Sequence, residues 1–238
     1  MDWLFRTQAL IGTQALNQLQ NSTVAILGLG GVGGSCAEAI CRAGVGKLIL
    51  IDNDVFDITN LNRQLFSTLQ TIGKPKVEVA AQRLHAIHPN CEIIQLPIFY
   101  TAENSNLLFS HPVDFIIDAI DTVSSKLHLI EHCYHHQIRL VSCMGTGNRL
   151  DPFQFQIGDI ANTAGCGCGL ARVVRRELKK RKIPKQTVLY STEYPRKIEQ
   201  GFLGDASHGR HAPASISFTP PVAGYLLASY VINQLLLS

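Results

Sequence analysis

The stretch Val24-Ala25-Ile26-Leu27-Gly28-Leu29-Gly30-Gly31-Val32-Gly33 decides the fold. Four apolar residues in a row read as a strand buried on both faces, as strands of a parallel sheet are. The glycines that follow let backbone N–H groups approach an anion closely, and a helix expected over about 32–43 directs its positive N-terminal end at the same point. Outward from this turn, Lys47-Leu48-Ile49-Leu50-Ile51 is a second apolar run. It ends in Asp52, roughly twenty residues beyond the first glycine, where a carboxylate accepts from ribose hydroxyls. Taken singly, a glycine turn also serves tight strand-to-helix packing and Asp52 also serves as a helix cap; the joint order of the residues carries the nucleotide reading.

Up to Asp52 the pattern fits any Rossmann-like nucleotide binder. The residues beyond it point to ATP: Asn60-Leu61-Asn62-Arg63-Gln64, then Gly73-Lys74-Pro75-Lys76, then Asp118-Ala119-Ile120-Asp121. Hydride transfer develops no charge at the phosphates, whereas displacement of pyrophosphate does and needs it neutralised. Arg63 can fork across two phosphate oxygens, and Lys76 can act as a mobile point charge near the α-phosphate. Asp121 follows the apolar run Phe115-Ile116-Ile117, at the carboxyl end of a predicted strand, where open α/β sheets bind ligands, and it suits Mg²⁺. The chemistry expected is adenylation of a carboxylate.

On these residues the chain resembles the ubiquitin-activating-enzyme-like (sulfur-carrier adenylyltransferase) superfamily. The likeness rests on Gly28-x-Gly30-Gly31-Val32-Gly33, Asp52-x-Asp54, Asn60 to Gln64, Gly73-Lys74-Pro75-Lys76-Val77-Glu78 and Asp118 to Asp121, about the first half of the chain. Within the superfamily it is similar to the tRNA threonylcarbamoyladenosine dehydratases. The residues that carry this are Ile87-His88-Pro89, Asp118 to Val123 with Lys126, Asn148-Arg149-Leu150-Asp151-Pro152, Gly158-Asp159-Ile160 and Tyr190-Ser191-Thr192-Glu193. The resemblance implies that ATP is held by Gly28, Gly30, Gly31, Gly33, Asp52 and Asp54. It implies that Asn60, Arg63 and Gln64 orient and neutralise phosphates, that Lys76 stabilises the transition state and that Asp121 carries Mg²⁺. It further implies a homodimer, with Arg6 as a cation donated across it, and tRNA as substrate. The acyl-adenylate would be attacked by a group of the same modification, so no enzyme nucleophile is required.

A chain of 238 residues with 46% hydrophobic residues suits one adenylating domain over 1–238, its nucleotide-binding part at about 20–146 and a substrate and dimer elaboration at about 147–238. The fold class expected is α/β, a mostly parallel sheet with helices on both faces. An N-terminal helix is followed by strands at 24–27, 47–51, 92–96, 113–117 and 139–142. Helices are expected at 75–87 and 123–136. Phe153 to Ile157 alternates as a half-exposed strand does, and Ile216-Ser217-Phe218 reads as a short strand before a helix begun by Pro220 and Pro221. That last helix, at 222–237, contains Asn233 and Gln234 and falls short of the ~20 apolar residues of a membrane span. With no charged-then-apolar signal pattern at the N-terminus, a cytoplasmic protein is expected.

Seven cysteines occur without paired Cys-x-x-Cys motifs. Most read as small buried hydrophobes, and Cys166 and Cys168, in a glycine-rich loop, are the candidates for reactivity. From Leu170 to Lys185 the chain is strongly basic; Arg172, Arg175, Arg176 and Lys179 share one helical face and suit tRNA phosphates, although such a face is commonly only solvated. A loop from Gly204 to Pro213, with His208, Arg210 and His211, is a candidate substrate lid. Two other function classes compete with the dehydratase. One activates the C-terminus of a ubiquitin-like sulfur carrier, with a sulfur-transfer or carrier protein as partner. The other is a non-catalytic dinucleotide binder, which leaves Arg63, Gln64 and Lys76 without a task.

Overall fold

The computed structural model describes residues 3–199 and 213–237. Its centre is a seven-stranded sheet in the order β3-β2-β1-β4-β5-β7-β6. The strands are β1 (Thr23–Leu27), β2 (Lys47–Ile51), β3 (Glu92–Leu96), β4 (Phe115–Asp118), β5 (Leu140–Cys143), β6 (Phe155–Asp159) and β7 (Thr187–Ser191). All neighbours are parallel except β6, which runs antiparallel to β7 at the edge. The chain moves outward from β1 to β2 and β3, then returns to lay β4 on the other side of β1. A crevice therefore opens between the carboxyl ends of β1 and β4, the place where open α/β sheets take their ligands.

The two-residue period of each strand divides the core. Val24, Ile26, Leu48 and Leu50 join one apolar cluster, while Ala25, Leu27, Ile49 and Ile51 join another on the opposite face. The first face is covered by α3 (Gly31–Arg42), α4 (Lys76–Ile87) and the long α8 (Thr219–Leu236); the second is covered by α5 (Asn106–Phe109) and α6 (Val123–His135). A third cluster joins α6 to α7 (Gly169–Lys180) and β7. Gly224 of α8 crosses α3 so closely that a Cβ there would lie 2.3 Å from Val32 O. α8 packs on α3 and the sheet, and no helix of the described residues is long and apolar enough to cross a membrane.

The strand and helix expectations hold with shifts of one or two residues at the ends. Four differ in kind, the first being β7, for which no strand was expected. The N-terminal helix is broken at Gly12, where φ is 87°, into α1 (Phe5–Ile11) and α2 (Thr13–Gln20). Four-residue α5 has too short a pattern to register in the sequence. Ile216-Ser217-Phe218 is not a strand: the sheet edge beside β7 is already filled by β6, and the segment leads through a bend into the first turn of α8. His208, Arg210 and His211 of the candidate lid lie outside the described residues.

One charged contact sits wholly inside the fold. Lys126 Nζ donates to Asp118 Oδ2 at 2.7 Å and to Cys143 O at 3.0 Å, with both side chains 0% exposed. Asp118 Oδ1 accepts from Ile120 N, so the pair also fixes the turn that leads to Asp121. A buried charge left without its partner is costly. Lys126→Met is expected to lower unfolding free energy by about 3–5 kcal/mol in urea titration. The double variant Lys126→Met/Asp118→Leu is expected to lose less than Lys126→Met alone.

Candidate active site

A pocket of about 380 Å³ opens at the carboxyl ends of β1, β2 and β4. Its base is the glycine turn. Gly28 has φ 86° and donates its N–H to Ile51 O at 2.8 Å; a side chain there would strike Ala119 O. Gly33 lies beneath the pocket, and a Cβ on it would fall 1.7 Å from Gly28 O, so only glycine allows α3 to start this close to β1. Gly30 and Gly31 line the pocket at the start of α3, whose first N–H groups have no partner within the helix. A Cβ on Gly30 would meet nothing nearer than Gln64 Nε2 at 3.9 Å; the space above it is a cradle that a side chain would fill.

Around this base the structure assembles the residues singled out from sequence. Asp52, Asp54, Asn60, Arg63, Gln64, Lys76 and Asp121 all line the same pocket. Asp52 Oδ2 accepts from Leu29 N at 2.6 Å and Oδ1 from Asp54 N at 2.8 Å, so this carboxylate also braces the glycine turn. Burial pushes its pKa above the ordinary aspartate value, against the opposing pull of Lys76 and of the two backbone N–H bonds. Asn60 caps the short turn Ile58–Asn60, its Oδ1 accepting from Asp57 N.

Lys76 is the residue whose environment departs most from its expectation. It was expected to be a mobile charge, yet as the first residue of α4 it is 6% exposed and its Nζ is held by Asp54 Oδ2 at 2.9 Å. The helix start sinks it because Val77 beside it enters the core, and Asp54 supplies the counter-charge that makes the burial tolerable. Arg63 is half-buried, with Nη1 donating to Thr59 O and Asn62 Oδ1, each at 2.9 Å. Gln64 is buried, and its Oε1 has no hydrogen-bond partner among the described residues. Such an orphan suits a ligand hydroxyl, and turning the amide would present its NH₂ to a phosphate oxygen. Asp121 is exposed at the rim. Arg6 is exposed on α1 and is not among the pocket residues.

The pocket also has walls that motif reading passed over. Ile98, Phe99 and Tyr100 line one side, with Thr122 and Ser125 from the start of α6. Tyr100 is fixed by Ser125 Oγ donating to its carbonyl at 2.6 Å and by its hydroxyl 3.0 Å from His128 Nδ1. Their signal was positional: they directly follow β3 at the binding edge of the sheet.

On α7, Arg172, Arg176 and Lys179 are exposed beside an open groove of about 590 Å³, with Ile160, Leu178 and Ile183 among its lining. Arg175 lines the same groove but turns inward, donating from Nη1 to Thr163 Oγ1 at 2.7 Å. Its task includes bracing the groove wall.

The geometry is that of an anion-receiving crevice with cations and a rim carboxylate at its mouth, and the ThiF family pattern matches residues 5–237 of the chain. The chain belongs to the ThiF family. It is 41% identical to the tRNA threonylcarbamoyladenosine dehydratase of Bacillus subtilis (strain 168), an alignment covering 97% of this chain and 93% of that protein. The Escherichia coli (strain K12) dehydratase is 38% identical over 66% of this chain and 59% of its own length. The crystal structure of the E. coli tRNA N6-threonylcarbamoyladenosine dehydratase in complex with ATP superposes with a TM-score of 0.86 at 30% identity, covering 98% of this chain and 93% of that one. This chain of the ThiF family thus shares the Rossmann-like α/β fold expected from its glycine turn.

Cys166 and Cys168 do not form a reactive pair on the surface. Both are buried in the cluster under α7, where Cys168 Sγ caps the helix by accepting from Ala171 N. All seven cysteines are free and buried, and burial pushes the Cys133 and Cys143 thiols up to about 12. A thiol-selective disulfide reagent is therefore expected to titrate essentially no cysteine rapidly in the native protein and all seven after unfolding in guanidinium. Fast labelling of Cys166 or Cys168 would restore a thiol-based step.

Proposed function

We propose that this protein is an ATP-dependent tRNA threonylcarbamoyladenosine dehydratase that works through an acyl-adenylate. The observation that carries the reading is one pocket in which the glycine turn, Arg63, Gln64, Lys76 and Asp121 converge, in a chain 41% identical to a dehydratase over nearly its whole length. A carboxylate oxygen of the modified adenosine attacks the α-phosphorus of ATP. The bond from that phosphorus to the bridging oxygen breaks, and pyrophosphate leaves with the electron pair. A nucleophilic atom of the same modification then attacks the acyl carbon, AMP departs with the former carboxylate oxygen, and the ring closes with net loss of one water from the nucleoside.

Each residue has a task in this scheme. The N–H groups at the start of α3 hold phosphate oxygens, and Gly30 leaves the room they need. Asp52 and Gln64 are placed for ribose hydroxyls, and Phe99 and Tyr100 for the base. Arg63 neutralises the departing phosphates, and Lys76, oriented by its contact with Asp54, faces the developing charge at the α-phosphorus. Asp121, a rim carboxylate next to the phosphate end, fits Mg²⁺, a metal that would add neutralisation of the phosphates. Residues 1–238 act in this reading as one adenylating unit, because β6 and β7 extend the same sheet that carries the pocket. A second copy of the chain would cover exposed Val55, Ile58, Leu61, Leu65 and Leu69, a run of apolar side chains on one stretch beside the pocket. Work on tRNA would place the protein in the cytoplasm.

Incubation with ATP, Mg²⁺ and tRNA carrying threonylcarbamoyladenosine, followed by mass spectrometry of the nucleosides, tests the reaction. The expected outcome is loss of one water that depends on ATP and falls at least on the order of a hundredfold in Lys76→Ala and in Arg63→Ala. An unchanged nucleoside, with ATP-dependent adenylation of a carrier-protein C-terminus instead, would reassign the substrate.

The exposed cations of α7 are assigned to tRNA phosphates. Arg172→Glu/Lys179→Glu is expected to weaken tRNA binding at least tenfold at low salt and to leave ATP binding unchanged, since each lost phosphate contact also lowers the salt dependence. Arg175→Glu would confound this test by breaking its bond to Thr163. Unaltered tRNA affinity in the double variant removes α7 from the substrate surface.

A further inference from the structure

The loop that carries Arg63 is tied to a distant part of the chain by one side-chain amide. Asn62 Oδ1 accepts from Arg63 Nη1 at 2.9 Å, while Asn62 Nδ2 donates to Ser215 O at 3.1 Å. Arginine only donates and a backbone carbonyl only accepts, so the two contacts fix which end of the amide faces which partner. Arg63 Nη1 also donates to Thr59 O. This nitrogen is thereby committed to its own loop, and among the described residues Nε and Nη2 are left for a ligand. Where the guanidinium aims depends on where Asn62 and Thr59 hold Nη1.

The far end of the link is equally well defined. Asn148 N donates to Ala214 O at 2.8 Å, and Ala214 N donates to Asn148 Oδ1 at 2.7 Å. Asn148 O accepts from Arg196 N at 2.7 Å. Asn148 does this at φ 60°, in the left-handed region that asparagine tolerates better than most residues. Pro213 rests against Gly147, where a Cβ would lie 2.5 Å from Pro213 Cβ. Gly147 and Asn148 follow β5 at the carboxyl edge of the sheet, the edge on which the pocket opens.

We infer that Asn62 is a positioning residue, which makes the aim of Arg63 depend on the seating of residues 213–215 against Asn148. Its amide joins the nucleotide-binding half of the chain to the C-terminal half. The phosphate cation is held in line for pyrophosphate departure when the C-terminal segment is in place, and not otherwise. The inference rests on the proposed role of Arg63.

The test uses the full chain with ATP, Mg²⁺ and tRNA carrying threonylcarbamoyladenosine, reading AMP release at varied ATP. Asn62→Asp keeps an acceptor toward Arg63 and replaces the donor toward Ser215 O with a second acceptor; Asn62→Ala removes both contacts. Asn62 is exposed, and thermal unfolding is expected to stay near wild type in both. In Asn62→Asp, kcat is expected to fall about tenfold while the KM for ATP stays within about twofold. In Asn62→Ala the KM for ATP rises as well. Asn148→Ala is expected to reproduce the kcat loss, and the double variant Asn62→Asp/Asn148→Ala to lose no more than the worse single one, because both act along one chain of contacts. Wild-type turnover in Asn62→Asp, or additive losses in the double variant, overturns the inference. Wild-type turnover and KM in Arg63→Ala would instead remove the role of Arg63 itself.

Discussion

Gly33 and Gly28 approach so closely beneath the pocket that a Cβ added to Gly33 would stand 1.7 Å from the Gly28 carbonyl oxygen. That approach lets α3 begin directly over the end of β1 and aim its free N–H groups into the crevice. Much else is arranged around it. Asp52 braces the turn from β2, Ala119 closes on Gly28 from β4, and Arg63 and Pro220 pack over Gly31. A larger residue at Gly33 would push α3 away from β1 and disturb each of these contacts.

The charges of the site are supported unequally. Asp118 and Lys126 form a pair without solvent exposure, and the pair holds the turn from β4 toward Asp121. Lys76 is nearly buried but leans on Asp54, which stands mostly in solvent, its side chain 60% exposed. Arg63 is tied, among the described residues, by the neutral acceptors Thr59 O and Asn62 Oδ1. The gradient has a physical sense. Under the proposed reaction, a cation that responds to a phosphate gains from partners that are neutral or weakened by solvent, whereas one that only fixes a turn gains from being fully paired.

The C-terminal half is continuous with the nucleotide half in its hydrogen bonding. β7 adds in parallel to β5, and β6 folds back as the edge strand. Buried Arg149 gathers the carbonyls of Gly145, Gly147, Cys166 and Glu193, so several loops meet on one guanidinium. The inward turn of Arg175 belongs to the same pattern: a residue counted as part of a basic stripe also braces the loop beside it.

The sequence by itself determined the α/β class, the glycine turn and which charged and amide side chains meet at the pocket, but not the wall formed by Ile98, Phe99 and Tyr100. Strand runs, helix starts and glycines act locally, and a local pattern leaves its mark within a few residues. It also predicted that most of the cysteines would be buried. Only the tertiary structure decided what each charged side chain faces. Lys76 read as a mobile charge, and its burial comes from the packing of α4 against the sheet and from Asp54, 22 residues away in the chain. Ile216-Ser217-Phe218 had strand composition, yet β6 already occupied the edge it would have joined. Asn62 and Ser215, 153 residues apart, met through a single amide that no spacing rule encodes. Pairing across such separations is fixed by the order of strands and the crossing of helices, which the linear pattern leaves open.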